Sequence, residues 1–313
     1  MFGVLRFCRF LCGLLRGFSG KAIKSIKNIP KSCNTMHADL IALKQKAKEL
    51  RKSILDITYK AQSGHPGGSL SEIDALVALY FYKMRVDPKN PHGKRDKFVL
   101  SKGHASPGLY AVLAEKGFFL KSELDGFRQI NRMLQGHPEL ATPGVEYAGG
   151  SLGQGICFSL GLALANKLDN DAHKVVVMIG DGESQEGAVW EASMGASFHK
   201  LDNLIAILDK NQVQETGKTT EVMNIDPAAD KWKAFGWNVL EINGHDMGQI
   251  VESLDRAWQM SNGKPTMIVS NTIKGKGVSF MELNHKFHGK APNEEEYKKA
   301  LAEVDAIDVK EFK

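Results

Sequence analysis

The chain has 313 residues, of which 42% are apolar and 25% are charged, a composition typical of a globular protein with one large domain or two small ones. Its net charge is +5, but residues 1–35 contain seven Lys and Arg side chains and no Asp or Glu. Without those seven, 34 basic and 36 acidic side chains remain, a net charge of −2. This balance excludes nucleic-acid binding driven by charge, and the sequence predicts no transmembrane span.

Residues 1–35 alternate apolar and basic side chains, and several interpretations stay open. A secretory signal is disfavoured because Arg9 and Arg16 interrupt every apolar run. An organellar transit peptide or a helix at a membrane surface fits an Arg-rich segment without acids. A start codon placed too early fits as well, because a helix follows Met36 directly, and the domain then spans 36–313.

The four cysteines do not predict a disulfide framework. Three of them lie in the basic extension, and Cys157 lies in a predicted buried helix. We therefore expect a reducing, cytoplasmic location.

Predicted helices and strands alternate along the chain. A helix from Asp39 to about Gln62 is followed by a loop over 63–69, a helix over 71–82, a strand over 97–100, and helices after His104 and after the glycine-rich turn 148–155. Later strands are predicted over 175–179, 204–208, 238–242 and 266–270, with helices over 187–199, 228–235 and 246–260. The alternation predicts an α/β fold, with a parallel sheet covered by helices on both faces in one domain.

An acidic residue follows the most apolar predicted strand. Asp181 stands between Gly180 and Gly182 at the carboxyl end, where parallel sheets bind ligands. A dinucleotide fingerprint requires a third glycine where Gln185 stands, and a carboxylate here would repel a pyrophosphate. A divalent cation turns that repulsion into attraction, because Mg²⁺ binds one or two carboxylates together with phosphate oxygens. The pattern therefore predicts a metal at Asp181.

The next strand supplies further ligands. It runs into Asp209 and Asn211, and parallel strands joined by a crossover helix end side by side. We expect the Asn211 amide oxygen to reach the same ion, with the backbone carbonyl of Val213 as a third ligand. Asp209 is equally well explained as an ordinary acid at a strand end.

Gly180-Asp181-Gly182, with Asn211 thirty residues after the Asp, resembles the binding motif of thiamine diphosphate enzymes. Four more segments resemble transketolase, in the order of that family: Ser63–Gly67, Val99–Ala105, Gly136–Glu139 and Gly150–Gly155. The resemblance extends over residues 46–292 but includes only the diphosphate-binding domain. Full-length transketolases continue into a pyrimidine-binding domain and a third domain, so the chain is similar to the N-terminal subunit of a split transketolase.

The resemblance implies thiamine diphosphate and Mg²⁺, or Ca²⁺ or Mn²⁺ in its place, as cofactors. It makes Asp181, Asn211 and the Val213 carbonyl the metal ligands. The other cofactor-binding residues that it implies are His104, Gly150, Ser151, Leu152, Gly182, Glu183 and Lys274. Glu186 resembles the family's glutamate that pairs across the contact between subunits, although an acid in the first turn of a helix is also stabilised by the helix dipole.

The resemblance also implies a set of catalytic histidines. His65, His104 and His137 each follow a glycine and match the histidines that hold the oxygens of the sugar donor. Imidazole suits this task because it donates, accepts or transfers a proton near neutral pH. Either His285 or His288 is the histidine near the cofactor, and we favour His285 for contact and His288 for structure.

The implied reaction transfers a two-carbon ketol unit from a ketose phosphate to an aldose phosphate, with the cofactor as electron sink. In the family, the carboxylate that activates the cofactor lies on the pyrimidine-binding domain. We therefore expect the isolated chain to be inactive and to require a C-terminal transketolase subunit, in a dimer of heterodimers. Pentose phosphates are the expected substrates, and a specialised ketose is the alternative.

Four other functions fit part of the pattern. 1-Deoxyxylulose-5-phosphate synthase shares the cofactor, but its first histidine loop differs from Ser63–Gly67. The E1 component of 2-oxo acid dehydrogenases resembles the chain only around the metal motif. A nucleotide-binding oxidoreductase is disfavoured by the acid between the glycines. A non-catalytic thiamine diphosphate-binding protein is disfavoured by the intact metal ligands and histidine loops.

Overall fold

The computed structural model describes residues 39–313, so the basic extension predicted at residues 1–35 lies outside the described residues. The strands of this part are β1 Lys97–Leu100, β2 Val175–Gly180, β3 Leu204–Lys210, β4 Val213–Gln214, β5 Gly217–Lys218, β6 Asn238–Asn243 and β7 Thr266–Asn271. Its α-helices are α1 Leu40–Ala61, α2 Pro66–Ala78, α3 Ser106–Lys116, α4 Gln154–Leu168, α5 Gly187–Phe198, α6 Thr219–Val222, α7 Ala228–Ala234, α8 Met247–Gln259 and α9 Glu294–Asp305.

Five of the strands form one sheet in the order β1-β2-β3-β7-β6, with every neighbouring pair parallel. All six residues of β2 and the first six of β3 are buried. Side chains of a strand point alternately to the two faces of the sheet. Val176 and Met178 accordingly belong to one hydrophobic cluster, whereas Val175, Val177 and Ile179 belong to another. The central strands are apolar throughout because both of their faces are covered.

Helices cover both faces of the sheet. Helices α1, α2, α3, α8 and α9 contribute to the cluster that contains Val176, and α4, α5 and α7 contribute to the cluster that contains Val177. The predicted α/β fold with a parallel sheet between two helix layers is therefore confirmed. No helix of residues 39–313 is both long enough and apolar enough to cross a membrane.

The sequence-based prediction is wrong at the start of α2, whereas its predicted end at Tyr82 lies within one residue of the end of the helical segment. The helix begins at Pro66, inside the segment predicted as a loop, and after Ala78 the chain continues as one π-helical turn, Leu79–Lys83. Proline is favoured in a first helical turn because its missing N–H needs no partner there. A Cβ at Gly67 would lie 3.1 Å from the carbonyl oxygen of Phe287. All 13 residues of α2 are buried, so close packing outweighs the low helix propensity of its two glycines.

Candidate active site

The carboxyl ends of four neighbouring strands meet at one edge of the sheet, and a polar residue after each strand lines a common cavity. Lys102 follows β1, Asp181 follows β2, Asn211 follows β3, and Lys274 follows β7. The cavity has a volume of about 380 Å³. Other predicted site residues that line it are His65, His104, Gly150, Leu152, Gly182, Glu183, Glu186 and Val213.

The Asp181 carboxylate lies between the ends of β2 and β3. Its Oδ1 accepts a hydrogen bond from the Gly182 amide at 2.8 Å, and its Oδ2 accepts one from the Gln212 amide at 2.5 Å. Burial, aided by the charge of Asp209, raises the pKa of Asp181 from 3.8 to about 6. A buried carboxylate with a raised pKa favours a nearby positive charge, because a cation offsets the cost of ionising it there.

Both ends of the Asn211 amide form hydrogen bonds with the protein. Its Nδ2 donates to Oδ2 of Asp209 at 3.0 Å, and its Oδ1 accepts from the Val213 amide at 3.2 Å. The carbonyl oxygen of Val213 accepts from Nζ of Lys274 at 3.0 Å. The structure thus places all three predicted metal ligands around one cavity.

The donor set suits a hard divalent cation bound together with a phosphate group. Carboxylate, amide and carbonyl oxygens are the ligands that Mg²⁺ and Ca²⁺ prefer, and Mg²⁺ sites commonly combine one or two carboxylates with substrate phosphates. Within residues 39–313, no cluster of three or more His, Cys, Asp and Glu side chains is suited to a metal. A Cβ at Gly182 would lie 3.0 Å from Cβ of Gln214, whereas one at Gly150 would meet nothing within 4 Å. The residues present therefore fit a metal-bound diphosphate.

A buried lysine adds positive charge to the cavity. Lys274 is 2% exposed, and its Nζ lies 2.6 Å from Nδ1 of His288. Burial lowers the pKa of Lys274 to about 8, against the opposing effect of Asp181. A lysine at this position can pair with an anionic ligand at little additional desolvation cost.

Three histidine rings form a cluster in the cavity. The ring centroids of His65 and His104 are 5.1 Å apart, those of His104 and His288 are 5.1 Å apart, and those of His65 and His288 are 5.4 Å apart. Burial lowers the pKa of His65 to about 4 and of His288 to about 3, and holds the pKa of His104 well below its ordinary value. The rings are therefore neutral near pH 7, and each can donate one hydrogen bond and accept another.

The structure reverses the preference between the two C-terminal histidines. His285 is exposed and begins a single 3-10 turn, His285–Phe287. Phe287 is buried in the core, and His288, the next residue, lines the cavity. We therefore now favour His288 over His285 for contact with the cofactor, because burial of Phe287 places the following residue at the cavity.

Three other predicted residues lie at the margin of the site. His137 is half-buried outside the cavity lining, and burial together with the charge of Arg128 lowers its pKa. Ser151 is exposed and does not line the cavity, although its two neighbours do. Glu186 is exposed at the mouth of the cavity, at the N-cap of α5.

Glu183 lines the cavity, but its carboxylate is already used by the protein. It is 3% exposed, and it accepts hydrogen bonds from the Ser101 hydroxyl, from the Gly153 amide at 2.8 Å and from the Gly180 amide at 2.9 Å. These donors lie after β1, before α4 and at the end of β2. The Glu183 carboxylate holds these three elements together, so we expect it to support the shape of the cavity and not to contact the cofactor itself.

We expect Glu183→Ala to lower the free energy of unfolding by about 3 kcal/mol, because three buried donors lose their acceptor. Urea denaturation of the chain without cofactor measures this loss. Glu186→Ala is the matched control, since Glu186 lies three residues away and is exposed, and we expect it to change stability by less than about 0.5 kcal/mol. Equal stabilities of the two variants would contradict the role given to Glu183.

Sequence reasoning missed the buried ion pairs that Lys102 forms at the cavity. Nζ of Lys102 lies 2.7 Å from Oδ2 of Asp209 and 2.7 Å from Oε2 of Glu72, and it donates to the Gly68 carbonyl at 2.9 Å. Burial raises the pKa of Glu72 to about 8, although Lys102 partly offsets that effect. A charged residue at or just beyond the end of a buried strand, as Asp209 and Lys102 are, was the signal available in the sequence.

Acid sensitivity of the fold should depend in part on His65. Burial, Arg128, His137 and Lys274 lower its folded pKa from 6.5 to about 4, so the unfolded chain binds more protons between these values. Stability therefore falls as the pH drops through this range. The unsubstituted chain should lose free energy of unfolding between pH 6.5 and about pH 5. We expect this loss to be about 1 kcal/mol smaller in His65→Asn. Urea denaturation at both pH values tests this, with exposed His199→Asn as the control.

Comparison with known proteins identifies relatives of the whole described part of the chain. Residues 42–312 match the family described as transketolase, thiamine diphosphate binding domain. One subunit of the apulose-4-phosphate transketolase of Phocaeicola vulgatus is 44% identical over 263 residues, which are 84% of this chain and 93% of that protein. The 6-deoxy-6-sulfo-D-fructose transketolase subunit SqwG of Clostridium sp. is 44% identical over 86% of this chain and 98% of that protein.

Full-length transketolases match over a smaller share of their length. Human transketolase is 42% identical over 80% of this chain but only 40% of its own. The crystal structure of Campylobacter jejuni transketolase superposes with a TM-score of 0.80 and 37% identity, covering 88% of this chain and 44% of that one. The chain thus spans less than half of these longer proteins.

The parallel sheet, with carboxylate and amide oxygens at the ends of two strands, defines an α/β domain of the class that binds a diphosphate cofactor with a divalent cation. The cofactor of this domain is thiamine diphosphate. The chain belongs to the transketolase family and corresponds to its thiamine diphosphate-binding domain.

Proposed function

We propose that the chain is the N-terminal subunit of a two-subunit transketolase, which moves a two-carbon ketol unit from a ketose phosphate to an aldose phosphate. The observation that carries this proposal is that Asp181, Asn211, Val213 and three neutral histidine rings line one cavity. Relatives of nearly the same extent are named as subunits of transketolases that act on apulose 4-phosphate and on 6-deoxy-6-sulfofructose.

In this proposal, the chain binds and orients the cofactor. Asp181, Asn211 and the Val213 carbonyl hold the cation, and Lys274 neutralises charge on the diphosphate. Gly182 admits the phosphate close to the backbone. Thiamine diphosphate, when bound, supplies an electron sink for the two-carbon unit.

The histidines act on the sugar. His65, His104 and His288 are neutral, so they can donate to the carbonyl oxygen of the donor and accept from its hydroxyl groups. Cleavage next to a hydroxyl-bearing carbon releases the proton of that hydroxyl, which requires an acceptor. Nδ1 of His65 is buried without a hydrogen-bond partner, which suits it to this task.

A second subunit completes the site in our proposal. Glu186 and Leu152 are exposed at the cavity, where a partner would cover them. This partner is a C-terminal transketolase subunit with the pyrimidine-binding and third domains, in a dimer of heterodimers. We place the assembly in the cytoplasm, because the described part of the chain contains one cysteine, Cys157, as a free thiol.

Reconstitution tests the proposal. The full chain is assayed alone and with the C-terminal subunit, with thiamine diphosphate, Mg²⁺, a pentulose phosphate donor and an aldopentose phosphate acceptor. A second arm replaces the donor with 6-deoxy-6-sulfofructose. We expect turnover only with both subunits present. Ketol transfer by the single chain would overturn the requirement for two subunits, and cofactor binding without turnover on any donor would favour a non-catalytic binding protein.

A further inference from the structure

Asp209 is held by more side-chain donors than its position at a strand end requires. It is 1% exposed, and its Oδ2 accepts hydrogen bonds from Ser71 and Lys102, each at 2.7 Å. The same oxygen accepts from Asn211 at 3.0 Å, and Oδ1 accepts from Thr272 at 2.5 Å. These four donors come from α2 and from the ends of β1, β3 and β7. The carboxylate is therefore fixed in position by four separate elements.

This fixed carboxylate determines which end of the Asn211 amide faces the cavity. The Lys102 ammonium, 2.7 Å away, pairs with an ionised Asp209, and an ionised carboxylate only accepts hydrogen bonds. Nδ2 of Asn211 must therefore face Asp209, which leaves Oδ1 on the other side. The distinction matters because the oxygen is a metal ligand, whereas an amide N–H repels a cation. The two ends of an amide are nearly equal in size, so packing alone does not select between them. The Val213 amide, which donates to Oδ1 at 3.2 Å, favours the same orientation as Asp209 through a longer and uncharged contact.

We propose that Asp209 is a positioning residue that orients the Asn211 amide, so that Oδ1 and not Nδ2 faces the divalent cation. The inference rests on the proposed cofactor site and adds a group that sets its affinity for metal without touching the ion. Hydrogen bonds that orient metal ligands typically change metal affinity 10–100-fold when they are removed. Lys102 influences Asn211 through Asp209, because its buried ammonium balances the charge of the Asp209 carboxylate.

The test compares two substitutions that remove the same charge. In Asp209→Asn, the side-chain oxygen can still accept from Asn211 while its amide nitrogen faces the Thr272 hydroxyl, which can accept. In Asp209→Ala, no acceptor remains. We measure the Mn²⁺ affinity of the full chain, with saturating thiamine diphosphate, from the electron paramagnetic resonance signal of free Mn²⁺. We expect Asp209→Ala to bind Mn²⁺ at least about 10-fold more weakly than Asp209→Asn.

Thr272→Val is the matched control, because it removes one buried hydrogen bond to Asp209 but leaves the one from Asn211. We expect it to retain the affinity of the unsubstituted chain within about 3-fold. Equal affinities of Asp209→Ala and Asp209→Asn would overturn the inference. Absence of Mn²⁺ binding by the unsubstituted chain would instead overturn the proposed cofactor site itself.

Asn211→Asp provides a second test should Asp209→Ala fail to fold. A carboxylate is ordinarily a stronger Mg²⁺ or Mn²⁺ ligand than an amide. In Asn211→Asp, however, residue 211 would no longer donate a hydrogen bond to Asp209. Two carboxylates would instead lie about 3.0 Å apart, the length of the present hydrogen bond, and repel each other. We therefore expect weaker Mn²⁺ binding than in the unsubstituted chain. Equal or tighter binding would show that Asp209 does not control this ligand.

Discussion

Asp181→Asn is expected to weaken metal-dependent binding of thiamine diphosphate at least about 100-fold, because it removes the one carboxylate among the three proposed metal ligands. The substitution keeps the shape of the side chain and one acceptor for the two amides that now bind it. Calorimetric titration of the full chain with thiamine diphosphate in the presence of Mg²⁺ measures the change.

Asp230→Asn serves as its control, since Asp230 is an exposed acid on α7 that pairs with Lys233 on the surface. We expect its cofactor affinity to equal that of the unsubstituted chain. Affinity of Asp181→Asn within about 3-fold of that value would remove Asp181 from the metal site and, with it, the basis of the proposed function.

Asp74→Ala is expected to lower the free energy of unfolding by about 3–5 kcal/mol, because it leaves a buried guanidinium without its counter-charge. Arg51 and Asp74 are 1% and 2% exposed and form two hydrogen bonds, of 3.0 Å and 2.6 Å. His245 adds a third contact to Asp74 at 2.9 Å. Burial alone would raise the pKa of Asp74, but Arg51 and His245 outweigh it and hold that pKa at about 2.

An exposed ion pair gives the comparison for this prediction. Nζ of Lys60 lies 2.6 Å from Oδ1 of Asp125, and both side chains are more than half exposed. We expect Asp125→Ala to cost less than about 1 kcal/mol, because water screens the pair and solvates the remaining lysine. Urea denaturation of both variants provides the values, and a cost below about 1 kcal/mol for Asp74→Ala would contradict the importance of burial.

The sheet and the two strand-end ligands can be predicted from sequence because the signals are local. A short run of β-branched residues ends in glycine and an acid at Asp181, and a second apolar run ends in polar residues at Asn211. Parallel pairing then brings the two ends together without further information. The same holds for the helices α3, α4, α5, α7 and α8, since each lies between two strands of the sheet in the chain.

Other parts of the site depend on contacts that the sequence does not display. Glu183 looks like one more acid beside the cavity, but its donors include residues 82 and 30 positions away. His285 and His288 stand three residues apart in an irregular segment, and burial of Phe287 decides which of them enters the cavity. Helix α2 starts early because its glycines fit against neighbouring segments. In each case, tertiary packing outweighs a local preference.

The three imidazole rings lie so close together that protonation of one hinders protonation of another. Each ring centroid lies 5.1–5.4 Å from the other two, and a positive charge on His65 or His288 lowers the pKa of His104 further. A first H⁺ taken up by the trio therefore makes uptake of a second less favourable. A proton that a ligand releases to one ring hinders uptake of another until it passes to solvent or to another reactant, so the cluster suits proton transfer better than proton storage.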